Sequence, residues 1–475
     1  MSFLIFPTQL FYDTSHLDGY ETVYLIEEPR YFTDFSFHKL KLAYHRATMK
    51  KYETYLQKKY HVKYIEYNKV DDFYKKIDDV TYMSLPDHSL EKKLKRFKKI
   101  ENKNFLVKDD ELDTIKTYIY NKTYSHEKFY KYQRTKLDIL MKDGKPIKKW
   151  SFDTENRLPL PKSDTPPELK PTKKNKYIKE AISYVTTHFP DNNGSLDFFY
   201  PIDHKSARLW LHTFLEERLS TFGKYQDAVS EKSPFVYHSV ISPMMNIGLL
   251  TDEEVVNVSY DYYKKHDIPI ESYEGFIRQV IGWRNYMYTI YLLEGEEMYE
   301  SNMLQHTTRL SSHAYNKLWK GETDIVPIDS IIHKIGTYAY AHHIERLMYL
   351  GNFLLLCMID PKDVYKMFME WTIDAYDWVM VPNVMGMSQY ASPIMTKRPY
   401  FSSTNYITKM STYKKDGTWD IVWNALYYHF IDRHADLLRK NYAIARQVYF
   451  YEKKSKKEKD EIKKIASFYL RELNK

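Results

Sequence analysis

The sequence predicts an α/β domain of the doubly wound kind followed by an all-helical domain. Three observations predict it: strand-like and helical periods alternate over roughly the first 130 residues, a proline-rich stretch follows, and nearly everything beyond it has helical spacing. Phe3-Leu4-Ile5-Phe6 is a short apolar run fit for a buried strand, and Glu21 to Ile26 is a second. From Phe37 to Tyr60 the apolar residues recur at helical spacing, and His61 to Tyr67 returns to alternation. No glycine-rich fingerprint follows the first strand, which argues against a conventional nicotinamide site.

Prolines 159, 161, 166, 167 and 171 forbid a continuous helix and mark a linker. The expected division is an α/β domain over 1–130, a connecting segment over 131–175 and a helical domain over 176–475. Long amphipathic stretches run from Ala207 to Phe222, Tyr273 to Leu293, Ile331 to Leu356, Pro361 to Tyr376 and Trp423 to Tyr449. No internal repeat is visible.

The chain has 475 residues, enough for two domains, with 43% hydrophobic and 28% charged residues. Aromatic residues reach 16%, with 46 Tyr, and part of that bias has the look of genome composition rather than function. A net charge of +8 is concentrated in Lys-dense stretches, Glu91 to Lys103 and Lys453 to Lys464, which permits a polyanion partner without requiring one. The single cysteine, Cys357, sits in an apolar run, so the chain alone forms no disulfide, no cysteine-only zinc site and no four-cysteine cluster. The amino terminus has no charged leader ahead of an apolar core, and no apolar stretch reaches the ~18 residues that cross a bilayer. The expectation is a soluble, monomeric intracellular protein, cytoplasmic or nuclear, without a membrane partner.

Six segments in the helical half carry a resemblance. They are Phe222 to Ala228 (FGKYQDA), His238 to Pro243 (HSVISP), Glu274 to Arg284 (EGFIRQVIGWR), Tyr340 to Met348 (YAHHIERLM), Asp374 to Val379 (DAYDWV) and Pro382 to Gln389 (PNVMGMSQ). In order and spacing they resemble the flavin-binding domain of the photolyase/cryptochrome superfamily, closest to its bacterial iron–sulfur branch of (6-4) photolyases and cryptochromes. The resemblance continues more weakly through Trp150 to Arg157 and the helix beginning at His38.

The resemblance implies a non-covalently bound FAD. Ser239 and Ser242 bracket a short run ahead of a helix, where hydroxyls and amides suit a diphosphate, although Ser242 also reads as a plain cap before Pro243. Arg346 and Asp374 match the pair that the family places beside the flavin ring; a simple interhelical salt bridge would use the same residues. Trp283 and Arg284 match residues bordering the flavin cavity, and the resemblance adds Tyr225, Ile241, Met380 and Asn383 to the cofactor contacts. Adjacent His342 and His343, about 100° apart if helical, cannot serve one neighbour together. His343 matches the position presented to the lesion, Tyr400 the pocket tyrosine, and Gln279, Lys397 and Arg398 contacts to UV-damaged DNA.

The family pattern also fails in places. The four cluster cysteines of the branch correspond to Pro327, Lys414, Gly417 and about Ile421, none of which ligates iron, so no metal is expected. Met367 and Phe368 stand where relatives carry oxidisable aromatics, with Trp319 kept at an outer position, and Met380 stands where relatives place a carboxylate or amide. Asn285 replaces a usual Glu, and Thr8, Tyr31 and Asp34 match a lumazine antenna site poorly. The reading is a light-driven photolyase for (6-4) photoproducts, with a cryptochrome-type flavoprotein sensor and a non-catalytic scaffold as alternatives.

Overall fold

The structure, a computed structural model, describes residues 1–474. Five strands, β1 (Ser2–Ile5), β2 (Thr22–Ile26), β3 (Val62–Ile65), β4 (Val80–Met83) and β5 (Lys98–Ile100), form one parallel sheet in the order β3-β2-β1-β4-β5. Leu4 is in register with Tyr24 on one side and with Tyr82 on the other. The chain therefore winds outward from β1 in both directions, which puts a topological switch point between β1 and β4. The crevice there is nearly closed: Thr8, Tyr31, Asn104, Phe105 and Trp378 leave a cavity of about 10 Å³.

The helix Lys39–Leu56 starts at His38, whose Nδ1 accepts the Leu40 amide at 3.0 Å and so replaces the usual hydroxyl or carboxylate cap. It packs on the helix Lys176–His188, the first of the helical half. Arg46 fastens this contact, because its guanidinium lies 2.9 Å from Glu27 at the end of β2, 3.3 Å from Glu66 beyond β3 and 2.6 Å from Glu180. The expected connecting segment begins inside a helix, His126–Lys136, which packs against the helical half. Residues 157–175 contain neither helix nor strand, as five prolines require.

The long helices forecast from periodicity are broken. The stretch from Tyr273 divides into Ile270–Ile277, a π-helical segment Arg278–Arg284, and Asn285–Glu300. The stretch from Ile331 ends at Tyr338, because Ala339 adopts a left-handed conformation (φ 50°), and resumes as a π-helical segment Glu345–Gly351. The double histidine thus lies at this break, His342 ahead of the new helix and His343 at its start, rather than on a continuous helix. A third π-helical segment is Pro382–Ser388. Such wide turns are rare and gather at functional sites; period counting misses them because one extra residue per turn barely disturbs an apolar stripe.

Where the branch would carry its cluster, Asp416 accepts the Thr418 and Trp419 amides (2.8 and 3.2 Å) and Gly417 takes φ 83°, a conformation a side chain would strain. Trp419, Trp423 and Leu426 are buried behind this turn, and the Trp423 indole donates to the Ser402 carbonyl at 2.9 Å. Among the described residues no helix is long and apolar enough to cross a membrane.

Candidate cofactor and substrate site

The segment Phe235 to Ser242 is conformationally strained. Val236 and Val240 both adopt left-handed φ (46° and 53°), which branched side chains avoid at a cost of about 1–3 kcal/mol each. The turn leaves the amides of Ser239, Val240 and Ile241 without a hydrogen bond among the described residues, although Val240 and Ile241 are buried. Buried amides rarely go unpaired, and three in succession make an anion cradle.

Ser242 connects this turn to the charged pair. Its hydroxyl donates to Asp374 Oδ2 at 2.6 Å, so it is not simply a cap; Arg346 Nη2 lies 2.9 Å from Asp374 Oδ1 and its Nε donates to the Ala341 carbonyl at 2.6 Å. The Asp374 carbonyl accepts from Asn246 at 2.8 Å, and the neighbouring Ala375 carbonyl accepts from the buried Lys41 ammonium at 2.7 Å. Burial lowers the Lys41 pKa to about 7 despite the attraction of Asp374. Free amide donors, a fixed guanidinium–carboxylate pair and unpaired imidazole nitrogens nearby fit a large heterocycle carrying a diphosphate, the chemistry of FAD.

The histidines form a second group. The His238 and His342 rings stack at 4.5 Å and 13°, and burial drives both well below the ordinary histidine pKa, with each further opposed by neighbouring histidines. His238 Nε2 and both ring nitrogens of His342 lack hydrogen-bond partners. His343 is 43% exposed and its Nε2 lies 3.4 Å from Asp227 Oδ1, so it alone of the three faces solvent with a carboxylate behind it. That arrangement leaves one imidazole edge open to a ligand.

A cavity of about 730 Å³ forms the third group, lined by Trp283, Tyr400, Lys397 and Arg398 together with His126 and the loop Lys440 to Ala443. Its size suits a ligand of drug-like dimensions. His126 lies flat on Trp283, centroids 3.7 Å apart at 12°, and burial lowers its pKa to about 3, leaving a neutral ring. Burial also raises the Tyr400 pKa, which keeps its hydroxyl protonated.

The other expected contacts have partners or packing of their own. Arg284 turns toward the first domain, with Nε 2.6 Å from Asp252 Oδ1 and its guanidinium between the Phe105 and Trp378 rings, and it reaches Asp374 only through Asn246. Gln279 bonds back to the Gly275 carbonyl at 3.4 Å and Asn383 to the Val379 carbonyl at 2.8 Å. Met380 and Ile241 are buried, and Tyr225 stacks on Tyr237 at 5.7 Å. Sequence reasoning assigned no role to His126, His238 or Lys41. Lys41 had a signal, a cation in the apolar run Leu40-Lys41-Leu42; His126 had none, because it belongs to none of the matching segments.

A family model described as "Deoxyribodipyrimidine photo-lyase-related protein" matches residues 3–200. The (6-4) photolyase of Agrobacterium fabrum is 35% identical over 365 residues, 74% of this chain and 71% of that protein. A protein of Acanthamoeba polyphaga mimivirus is 44% identical over 120 residues, 25% of this chain and 94% of the other. Among solved structures, a class III photolyase from Agrobacterium tumefaciens superposes with a TM-score of 0.55 at 15% identity, covering 83% of this chain and 82% of that one. A Synechocystis cryptochrome gives 0.55 at 12% identity over 97% and 93%. These two likenesses show a common fold.

Proposed function

Since this chain belongs to the photolyase/cryptochrome superfamily, we propose that it is an FAD-dependent, light-driven photolyase acting on (6-4) pyrimidine photoproducts in DNA, without an iron–sulfur cluster. The observation that carries this reading is the Ser242 bridge: one hydroxyl joins the turn with three free amides to the Arg346–Asp374 pair. The amides of Ser239, Val240 and Ile241 would hold the diphosphate, and Arg346 would set a fixed positive charge beside the ring. FAD in that position supplies the light-driven electron transfer of the family.

The chain's own residues then bind and orient the lesion. A damaged pair must leave the stack to be reached, and it is cheaper to extrude than an intact one. Trp283 and Tyr400 offer faces for the extruded bases, Lys397 and Arg398 offer charge for the phosphates. His343, backed by Asp227 and with the His342 ring 6.0 Å away, would exchange the proton with the rearranging oxygen. A lumazine antenna is not part of this proposal, because Thr8, Tyr31 and Asp34 match the antenna site of relatives poorly.

The sensor reading draws on one observation. Met367 and Phe368 are buried at the positions of the usual electron donors, and Met380 brings no hydrogen-bonding group to the ring. The test for both is to record the flavin spectrum of purified protein, then assay repair of a (6-4) duplex in blue light and in darkness. Light-dependent repair supports the photolyase; a flavin spectrum with no repair supports the sensor; a colourless protein removes both.

A further inference from the structure

We infer that the C-terminal lip of the large cavity, Lys440 to Lys454, is a DNA-strand platform whose Tyr442 stacks into the gap left when a nucleotide leaves the duplex. The inference rests on the photolyase reading for its substrate and goes beyond it in assigning a segment that the matching motifs do not include.

Tyr442 is 99% exposed, an extreme for so large an aromatic side chain, and it stands at the rim of the cavity that contains Trp283 and Tyr400. Its backbone is held all the same. Asn441 donates from Nδ2 to the Lys397 carbonyl at 2.6 Å across the rim, and its Oδ1 accepts the Ala443 amide at 3.1 Å, so a side-chain turn braces the residues on both sides of Tyr442. The following helix, Ala445–Glu452, is anchored by the buried Ile444, Val448 and Tyr451. Its outer face presents Tyr449 and Phe450, half exposed, with Lys453 and Arg446 over their rings at 5.2 and 5.1 Å.

Charge favours a nucleic acid over a protein partner. Lys397, Arg398, Lys440, Arg446 and Lys453 have no carboxylate within ion-pair distance among the described residues. The one carboxylate of this segment, Glu452, and Asp436 just ahead of it are both paired with Arg439. Unpaired cations interleaved with exposed aromatic faces are the pattern that tracks a phosphate backbone while stacking its bases. A rigid side chain beside the pocket that receives the extruded nucleotide is well placed to fill the space it vacates.

The test measures binding in the dark to three labelled duplexes: one with a (6-4) photoproduct, one with a single abasic site and one intact. Tyr442→Ala, fully exposed and so harmless to folding, is expected to weaken binding to both interrupted duplexes by about tenfold, within the range of one lost base stack. Binding to the intact duplex stays unchanged, and Tyr442→Phe behaves as the parent protein. Replacing Lys440, Arg446 and Lys453 together by Ala is expected to weaken all three and to lower the salt dependence by about one counterion per lost phosphate contact. Equal binding of Tyr442→Ala and the parent overturns the inference. Tyr442-dependent binding to the abasic duplex with no preference for the photoproduct keeps the platform and removes the (6-4) reading; lesion binding and repair that survive Tyr442→Ala do the reverse. A parent protein that binds none of the three duplexes refutes both.

Discussion

Arg346 and Asp374 form an ion pair at 2.9 Å that Ser242 completes from the other side of the carboxylate, at 2.6 Å. Removing one member of such a pair leaves the other charge uncompensated, at a cost of about 3–5 kcal/mol where burial is complete. Asp374→Asn is therefore expected to lower the unfolding midpoint and to release flavin, whereas Ser242→Ala, which removes one hydrogen bond, is expected to weaken flavin binding by about tenfold without unfolding. Flavin absorbance after gel filtration, alongside a thermal melt, reads both.

Iron and acid-labile sulfide are expected to be absent from purified protein. The only thiol, Cys357, is buried in an apolar run, and the turn around Asp416 and Gly417 closes on its own hydrogen bonds. Metal analysis giving one or more equivalents of iron would contradict this.

Photoreduction by an external thiol is expected to be slow in the parent protein. Met367 and Phe368 are buried and hard to oxidise, while the nearest tryptophan on that helix, Trp371, directs its indole N–H to Tyr315 Oη at 2.6 Å and packs on Trp319 at 5.2 Å. Met367→Trp with Phe368→Tyr is expected to accelerate bleaching of the flavin band under blue light by tenfold or more. An unchanged rate would place the electron route elsewhere.

The two-part architecture was legible because strand alternation, five prolines and helical spacing are local signals. The strands at Phe3 and Glu21 lie within a residue of their forecast ends, and the helix after Phe37 starts two residues late and stops four residues early. The π-helical segments were not, since a stripe of apolar residues looks alike on either side of one wide turn. Ser242, Arg346 and Asp374 were readable only through the matching segments, and the structure brings the three together. Arg284 lay in the same segments, yet it pairs with Asp252 and lies over the Phe105 ring of the first domain, a choice that depends on tertiary packing. His126 and Lys41 act across the junction between the sheet-bearing and helical halves; only Lys41 carried a local mark, its place between Leu40 and Leu42.

Lys41 is expected to make stability rise with pH above neutrality. Its ammonium sits by the Phe37 and Tyr376 rings with Asp374, Glu370, Arg30 and Arg346 around it, and desolvation lowers its pKa from 10.5 to about 7. Between those values the unfolded chain holds the proton that the folded chain has shed. The cost of burying the charge is thus fully present below pH 7 and disappears as pH approaches 10.5. Urea midpoints measured from pH 7 to 10 are expected to climb more steeply for the parent than for Lys41→Met; parallel curves would show that the lysine titrates normally.

The central claim is that His343 serves the lesion and not the fold, and the direct measurement is repair of a (6-4) duplex by His343→Ala. Flavin retention and lesion binding are expected to persist, because the proposed cofactor contacts are Ser239, Ser242, Arg346 and Asp374 and the residues proposed to hold the phosphates are Lys397 and Arg398. Repair in blue light is expected to fall by about 10²–10⁴, the range for a lost general acid–base group. A variant that loses its flavin or unfolds would make His343 structural, and repair undiminished in His343→Ala would contradict the account.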